Sequence, residues 1–455
     1  MDNLEKMKKD HQIAIIGFGV GGFSTLIQLL DDEIISRKRP KIIIFDVNPI
    51  EDANIYLNAT DDLFLNTSVY LNSLLVDTPD HFYRWLLDTQ DNWSVQYPNI
   101  AEIKPESFVP RNLFQLYMKD LFFITLKKSK HLEVNIEIIR SYVKRIVPTG
   151  NDRFILETLN NRSFIVNQVI VSTGDGNFKN NYTHLQGKSC YLNKPYLPIS
   201  YYEELNKTQT VLIIGAFLSA IDSILLLKDY YGKITLASVT GTFPAVRSSF
   251  INNVEKYKEF LDIYDINTLL KKMLGKLPLS APTEKDLTDL HYSLKYDGWC
   301  QHIAPFANRV NDLWSQASEK EKTRFKDCYH LHRSKRYLTA MPCIVADKIL
   351  LRFFKNSITI KNGLKDVKYQ AQTKKFMAYY TNGNQEYFDA CINASTAVNN
   401  SKTNLDLTNF SNISGIHILG DSNSRNFINN SIFLFVREVQ RIIPIIRNNM
   451  EKSRD

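Results

Sequence analysis

Ile13-Ala14-Ile15-Ile16-Gly17-Phe18-Gly19-Val20-Gly21-Gly22 is an apolar run that breaks into glycines. Its first four residues read as a buried strand of a parallel sheet. The spacing Gly17-x-Gly19-x-x-Gly22 then reads as a tight turn feeding an amphipathic helix, Phe23 to Leu30. A second apolar run, Ile42-Ile43-Ile44-Phe45, ends in Asp46. Each part of such a βαβ unit has a task on a dinucleotide. Gly17 makes the turn, Gly19 lets the backbone approach a pyrophosphate, and Gly22 lets helix and strand pack closely. The helix start faces the phosphates, and Asp46 accepts from a ribose hydroxyl. A glycine-rich turn that merely packs a helix on a sheet would carry the same glycines. The strand before, the helix after and the acid at the next strand end favour the dinucleotide.

The chain has 455 residues, enough for two or three domains. It is 44% hydrophobic and 23% charged, ordinary for a globular protein. A net charge of +8 is spread among interleaved acids. The densest basic stretch, Lys320 to Arg336, reads as a solvated helical face. No zinc finger, RNA-binding signature or arginine-rich tail points to nucleic acid. Five scattered cysteines (Cys190, Cys300, Cys328, Cys343 and Cys391) include no C-x-x-C pair. That pattern predicts reduced thiols and a cytoplasmic protein, and it counts against a dithiol reductase. Lys6, Lys8 and Lys9 before the uncharged run Ile13 to Leu30 mimic a leader peptide or anchor. The glycines at dinucleotide spacing make that run a fold core instead, and no membrane span is expected elsewhere. No metal-ligand spacing and no Gly-x-Ser-x-Gly nucleophile appear.

Further along, Thr78-Pro79-Asp80 reads as a cap opening a helix from His81 to Leu87, and Pro110 opens a longer one through Leu126. Glu133 to Ile139 and Val143 to Val147 read as strands. Phe154 to Thr158 and Ser163 to Val171 alternate like a hairpin turning at Asn160-Asn161. A second dinucleotide-like unit follows: strand Val211 to Ile214, turn Gly215-Ala216-Phe217-Leu218-Ser219-Ala220, helix Ile221 to Leu227, strand Ile234 to Ala237. Residues 252–354 look mainly helical, strands return near Ile358, Phe376 and Ala390, and Ile416 to Leu419 is a strand ending in Gly420-Asp421 before a long helix, Ser431 to Asn448. These elements predict an α/β fold with two Rossmann-like lobes and a helical insertion. The first lobe is discontinuous: residues 1–185, then a second lobe over 186–395, then a return over 396–455.

The segments Ile15 to Gly19, Leu65-Asn66-Thr67, Asp80 to Leu86, Phe108-Val109-Pro110-Arg111 with Tyr117, Val171 to Gly174 and Leu218 to Asp222 stand in one order. So do Asp312-Leu313-Trp314, Arg324-Phe325 and His332-Arg333. In these the chain resembles the two-Rossmann FAD/NAD(P)-binding proteins that include FAD-dependent urate hydroxylases and aspartate N-monooxygenases. The resemblance implies non-covalent FAD in the first unit and NAD(P)H in the second, with pyridine-nucleotide reduction and oxygen activation as the chemistry. It implies Asn66 near the flavin, Arg111 at a FAD phosphate or the flavin edge, Gly174 where the chain leaves the FAD lobe, and Gly420 and Asp421 on the flavin side. His332 and Arg333 are weighed between surface residues and substrate-anion ligands. Trp85 and Trp314 read as core.

The second unit departs from the pattern. Phe217 stands where a glycine should be, between Gly215 and Ser219, so a ring occupies the space of the pyrophosphate contact. Ser238-Val239-Thr240-Gly241 holds no arginine for a 2′-phosphate; the nearest is Arg247. Residues Glu51 to Leu57 contain no glycine where the resemblance would place one. The expectation is a FAD-dependent oxidoreductase, monooxygenase-like, acting on a small polar substrate at N or C, with NAD(P)H use in doubt. Two other readings stay open: a flavin dehydrogenase or oxidase that takes its hydride from substrate, and a non-catalytic FAD-binding partner.

Overall fold

A computed structural model describes residues 11–48, 60–98, 100, 102–150, 152–173, 181–247, 254–276, 300–328, 336–337, 339–355, 357–395, 410, 413–420 and 431–452. Two five-stranded parallel sheets organise the chain. In the first, the order is Ile416–Ile418, Gln168–Val171, Gln12–Ile16, Lys41–Phe45, Ile136–Ile139. In the second it is Ile358–Lys361, Lys233–Ala237, Thr210–Ile214, Ala390–Asn393, Tyr191–Leu192. Each sheet starts its βαβ unit on the central strand and reverses direction of winding there.

The sequence dictates this by burying both faces of every central strand. Ile13 and Ile15 point into a core of helix side chains, whereas Ala14 and Ile16 point into a second core. Ile42 and Ile44 divide from Ile43 and Phe45 in the same way. This is period-2 alternation in which both sides are apolar, the mark of a covered parallel sheet. The helical face carries Val20–Asp31, Arg111–His131 and Ile432–Lys452. The opposite face carries an antiparallel sheet of Val143–Pro148, Phe154–Thr158 and Ser163–Val166. The second lobe repeats the plan: Val211 and Ile213 face one core, Leu212 and Ile214 another. Its own antiparallel sheet is Leu364–Gln370, Lys375–Tyr380 and Gln385–Phe388. Helices Val254–Leu261, Ile266–Leu274, Cys300–Gln316 and Glu319–Cys328 form a third core around Phe260, Leu269, Phe306 and Trp314. The chain is thus an α/β protein with two Rossmann-type lobes, the first completed by the C-terminal strand and helix.

Two local expectations are corrected. Ser163 to Val171 is not one strand. Ser163–Val166 belongs to the antiparallel sheet and Gln168–Val171 to the main sheet. The change of sheet falls at Asn167, whose amide donates to the Gln12 carbonyl (2.8 Å) while its side-chain oxygen accepts from the Gln12 amide (3.0 Å). Beyond it all four residues are buried, so the alternation that marks the hairpin ends. The helix expected to be capped by Thr78 instead spans His81–Asp88 and is preceded by Asp80; Thr78 offers its carbonyl to His81 N, not its hydroxyl. Of the basic stretch, residues 320–328 lie in a helix whose Lys322 pairs with Glu319, whereas Arg336 is buried, so that end is not the expected solvated face. Trp314 is buried and Trp85 half-buried. Cys190, Cys300, Cys343 and Cys391 are thiols, not disulfides. Among the described residues no helix is long and apolar enough to cross a membrane, and no cluster of three or more His, Cys, Asp or Glu side chains stands together.

Candidate functional site

The first site is built at the carboxyl ends of the central strand and its two neighbours, the crevice where open α/β sheets hold ligands. Gly17 follows the central strand with φ +88°, and its amide donates to the Phe45 carbonyl (2.8 Å). A Cβ there would lie 2.4 Å from the Ser172 carbonyl oxygen, so the turn is closed against the exit of strand Gln168–Val171. A Cβ on Gly22 would lie 2.1 Å from the Gly17 oxygen, which is the close helix–strand approach. At Gly19 the result is opposite: no heavy atom lies within 4 Å of a Cβ position. Gly19 also flanks the start of helix Val20–Asp31, which has no side-chain cap and no acid in its first turn. Uncapped first-turn amides over open space form an anion cradle. Phe18 does not enter that space. Its ring is buried beside Phe23 and Phe122, 5.5 and 5.8 Å away.

Asp46 closes the other side. One carboxylate oxygen accepts from the Phe18 amide (2.6 Å) and the other from the Asn48 amide (2.9 Å). It therefore clamps the glycine turn; Oδ1 also accepts from Asn48 Nδ2 (3.4 Å), so Oδ2, which takes the Phe18 amide, is the oxygen with a lone pair for a ribose hydroxyl. Gly420, with φ +70°, ends the outermost strand and gives its amide to Glu438 (3.0 Å). Phe435, from the last helix, fills the space beside both Gly420 and Gly21. Gly174 and Asp421 lie outside the described residues, as do His332, Arg333 and the loop Glu51 to Leu57.

The second turn copies the backbone of the first and changes its lining. Gly215 has φ +114°, donates to the Ala237 carbonyl (2.8 Å), and would set a Cβ 2.8 Å from the Ala394 oxygen. Phe217 occupies Gly19's place in nearly the same extended conformation, φ −95° and ψ −164° against −77° and −158°. Ala220 takes the place of Gly22, and the Ser219 carbonyl accepts from the Ser223 hydroxyl (2.9 Å), a side-chain bond back to the preceding turn. Ser238 takes the place of Asp46, but its hydroxyl accepts from the Gly241 amide (2.9 Å). The second turn therefore keeps its backbone shape, carries a phenylalanine where the first has Gly19, and lacks the acid. These residues fit a pyrophosphate and ribose poorly.

Arg111, expected at a FAD phosphate or the flavin edge, has protein partners on both sides. It is buried; Nε donates to the Phe64 carbonyl (2.9 Å), and Nη2 reaches both oxygens of Asp222 (3.0 and 2.9 Å). Asp222 lies on helix Leu218–Leu226 of the second lobe and accepts a third bond from the Tyr196 hydroxyl (2.7 Å). Burial, and then the Asp222 carboxylate, push the Tyr196 phenol upward, so it stays a donor. The signal for this was in the sequence: an acid inside an otherwise apolar helix calls for a cation from elsewhere.

Asn66 stands where the cores meet. Leu63 and Phe64 pack into the second lobe, Leu65 and Val69 into the first, and Leu71 into the helical insertion. The Asn66 carbonyl accepts from Arg247 Nη1 (3.1 Å). Arg247, the nearest arginine to the second unit's missing phosphate partner, is thus turned toward the first lobe. It is buried, and burial pulls its pKa down.

Residues 14–176 match the FAD-NAD(P)-binding family. No curated protein matches the sequence. Solved structures share the whole fold at low identity. The reduced form of ornithine hydroxylase from Pseudomonas aeruginosa is 13% identical, with 97% of this chain and 100% of that one covered and a TM-score of 0.61. Ornithine N-hydroxylase from Kutzneria is 11% identical, covering 98% and 100%, TM-score 0.59. L-Lysine 6-monooxygenase from Pseudomonas syringae is 13% identical, covering 98% and 100%, also at 0.59.

Proposed function

We propose that the chain is a cytoplasmic FAD-dependent oxidoreductase, most like a flavin monooxygenase that hydroxylates a small polar substrate at N or C. In this reading residues 1–185 and 396–455 make the FAD lobe and 186–395 the second lobe. The observation that carries it is the pairing of open space at Gly19 with an uncapped helix start and the Asp46 clamp. The family match over residues 14–176 covers the same site. Three proteins of the same fold are named for ornithine or lysine hydroxylation or monooxygenation, which favours oxygen transfer to a small amine-bearing molecule. Urate and aspartate, named by the sequence resemblance, belong to the same class of small polar substrates.

FAD when bound supplies the redox and oxygen chemistry. This chain's residues do the rest. The first-turn amides of Val20–Asp31 meet the pyrophosphate, and Asp46 accepts from ribose. Asn66 sits at the junction of three cores, with its backbone fixed by Arg247.

A second reading is favoured by Phe217: the flavin takes its hydride from substrate and NAD(P)H is not used. A yellow purified protein that bleaches anaerobically with NADPH or NADH supports the monooxygenase. One that bleaches only with an added substrate supports the dehydrogenase or oxidase. A colourless protein that takes up no FAD refutes both.

A further inference from the structure

We propose that Arg111, Asp222 and Tyr196 form a buried strut that couples cofactor occupancy at Gly17–Gly22 to the rigidity of the second lobe's helix Leu218–Leu226. The inference rests on FAD binding in the first unit.

One end of the strut is a piece of extended chain that belongs to both lobes. Arg111 holds it twice, by its own amide to the Leu63 carbonyl (2.8 Å) and by Nε to the Phe64 carbonyl (2.9 Å). The next amide, Leu65 N, donates to the Val109 carbonyl (2.9 Å). Leu65 shares a core with Phe18 of the glycine turn, whereas Leu63 and Phe64 lie in the core under helix Leu218–Leu226. A shift of the first turn is therefore felt in this segment. The other end is Asp222, one turn into the helix that begins after Phe217. Its two oxygens take Arg111 and the Tyr196 hydroxyl.

Three apolar side chains would fill this space at least as stably, because burying both charges costs desolvation. The ion pair adds direction. A planar guanidinium that bonds a carbonyl through Nε and a carboxylate through Nη2 fixes the angle between the two, which packing alone does not. When bound cofactor quiets the first turn, the second lobe's helix inherits the restraint through this geometry, a coupling by lost conformational freedom.

Amide hydrogen exchange reads it directly. The full chain, stripped of FAD and then saturated with FAD, is compared with Arg111→Met/Asp222→Leu, which removes both charges together. In the unmodified chain FAD should slow exchange in Val20–Asp31 and also slow Leu218–Leu226 by roughly tenfold, a common size for coupling between sites. The pair variant should keep the first protection and lose the second. Tyr196→Phe, which deletes one hydroxyl and keeps the ring, carries the test if the pair variant does not fold: protection of Leu218–Leu226 falls and that of Val20–Asp31 stays. Protection confined to Val20–Asp31 in the unmodified chain overturns the strut and leaves the FAD site standing. Loss of both protections in the pair variant places Arg111 in the cofactor site itself and also overturns it. No protection anywhere in the unmodified chain overturns the FAD reading along with the strut.

Discussion

Two glycines three residues apart should fail in opposite ways when each is changed to alanine. At Gly19 the new methyl meets nothing within 4 Å, and φ −77° suits any residue. Losing a glycine N-cap costs up to about 1 kcal/mol. The stiffer unfolded chain returns about 0.4–1 kcal/mol. The apoprotein should therefore unfold within about 0.5 kcal/mol of the unmodified one, the usual range for a change that touches nothing. The same methyl stands in the path of a pyrophosphate, so FAD affinity should drop at least tenfold, about 1.4 kcal/mol. At Gly22 the methyl would sit 2.1 Å from the Gly17 carbonyl oxygen and 3.1 Å from its carbon, both backbone atoms. Forcing them apart costs about 1–3 kcal/mol. The gain in helix propensity offsets at most about 1 kcal/mol. Gly22→Ala should lower the stability of the apoprotein outright, with any loss of FAD secondary. Denaturant unfolding of the FAD-free proteins and a fluorescence titration with FAD separate the two. An apo Gly19→Ala that unfolds as readily as Gly22→Ala, or one that binds FAD as tightly as the unmodified chain, would refute the assignment of the open space to the cofactor.

Phe217→Gly should speed flavin reduction by NADPH or NADH, measured by anaerobic stopped flow, because it restores the gap present at Gly19; rapid reduction of the unmodified protein by NADPH would show that the ring does not obstruct. Arg111→Met alone leaves Asp222 buried with Tyr196 and should cost about 3–5 kcal/mol, whereas the pair Arg111→Met/Asp222→Leu should cost clearly less in the same unfolding assay. His81, bonded through Nδ1 to the Tyr117 hydroxyl (2.9 Å), is held below its ordinary pKa of 6.5 by burial and then by Arg84. Its folded pKa is depressed, so its contribution is complete above pH 6.5 and is lost as pH falls toward the folded value. Stability measured from pH 7 down to pH 5 should fall less steeply in His81→Gln than in the unmodified chain.

The glycine turn, Asp46 and the duplicated βαβ plan could be read from the sequence because each is a local pattern: four apolar residues, a glycine spacing, an acid at a strand end. The double winding of the sheets followed from strands with no polar face. Arg111 was legible as a residue that wants an anion and illegible as to which one. Its partner is 111 positions away on another lobe, and only tertiary packing brings Asp222 to it. Arg247 was legible only as the arginine nearest the second unit; that it reaches the Asn66 carbonyl, 181 positions away, is again decided by tertiary packing. At Asn167 the sheet changes within an apolar stretch, and apolar side chains alone do not say which strand they pair with.

The strand Ile416–Ile418 seals the edge of Gln168–Val171. During synthesis that edge waits for about 245 residues, at about 5–20 residues per second a delay of roughly 12–50 s. Meanwhile the five strands and helices of the second lobe have all emerged and can pair among themselves. A chain of this order finishes its interior before its beginning, and the nascent first sheet stands for that interval as an open edge of the kind that recruits wrong partners. A ribosome stalled before residue 416 should therefore display a folded second lobe joined to an adhesive N-terminal sheet. Loss of the last 40 residues should send the protein to aggregates instead of to a smaller folded chain.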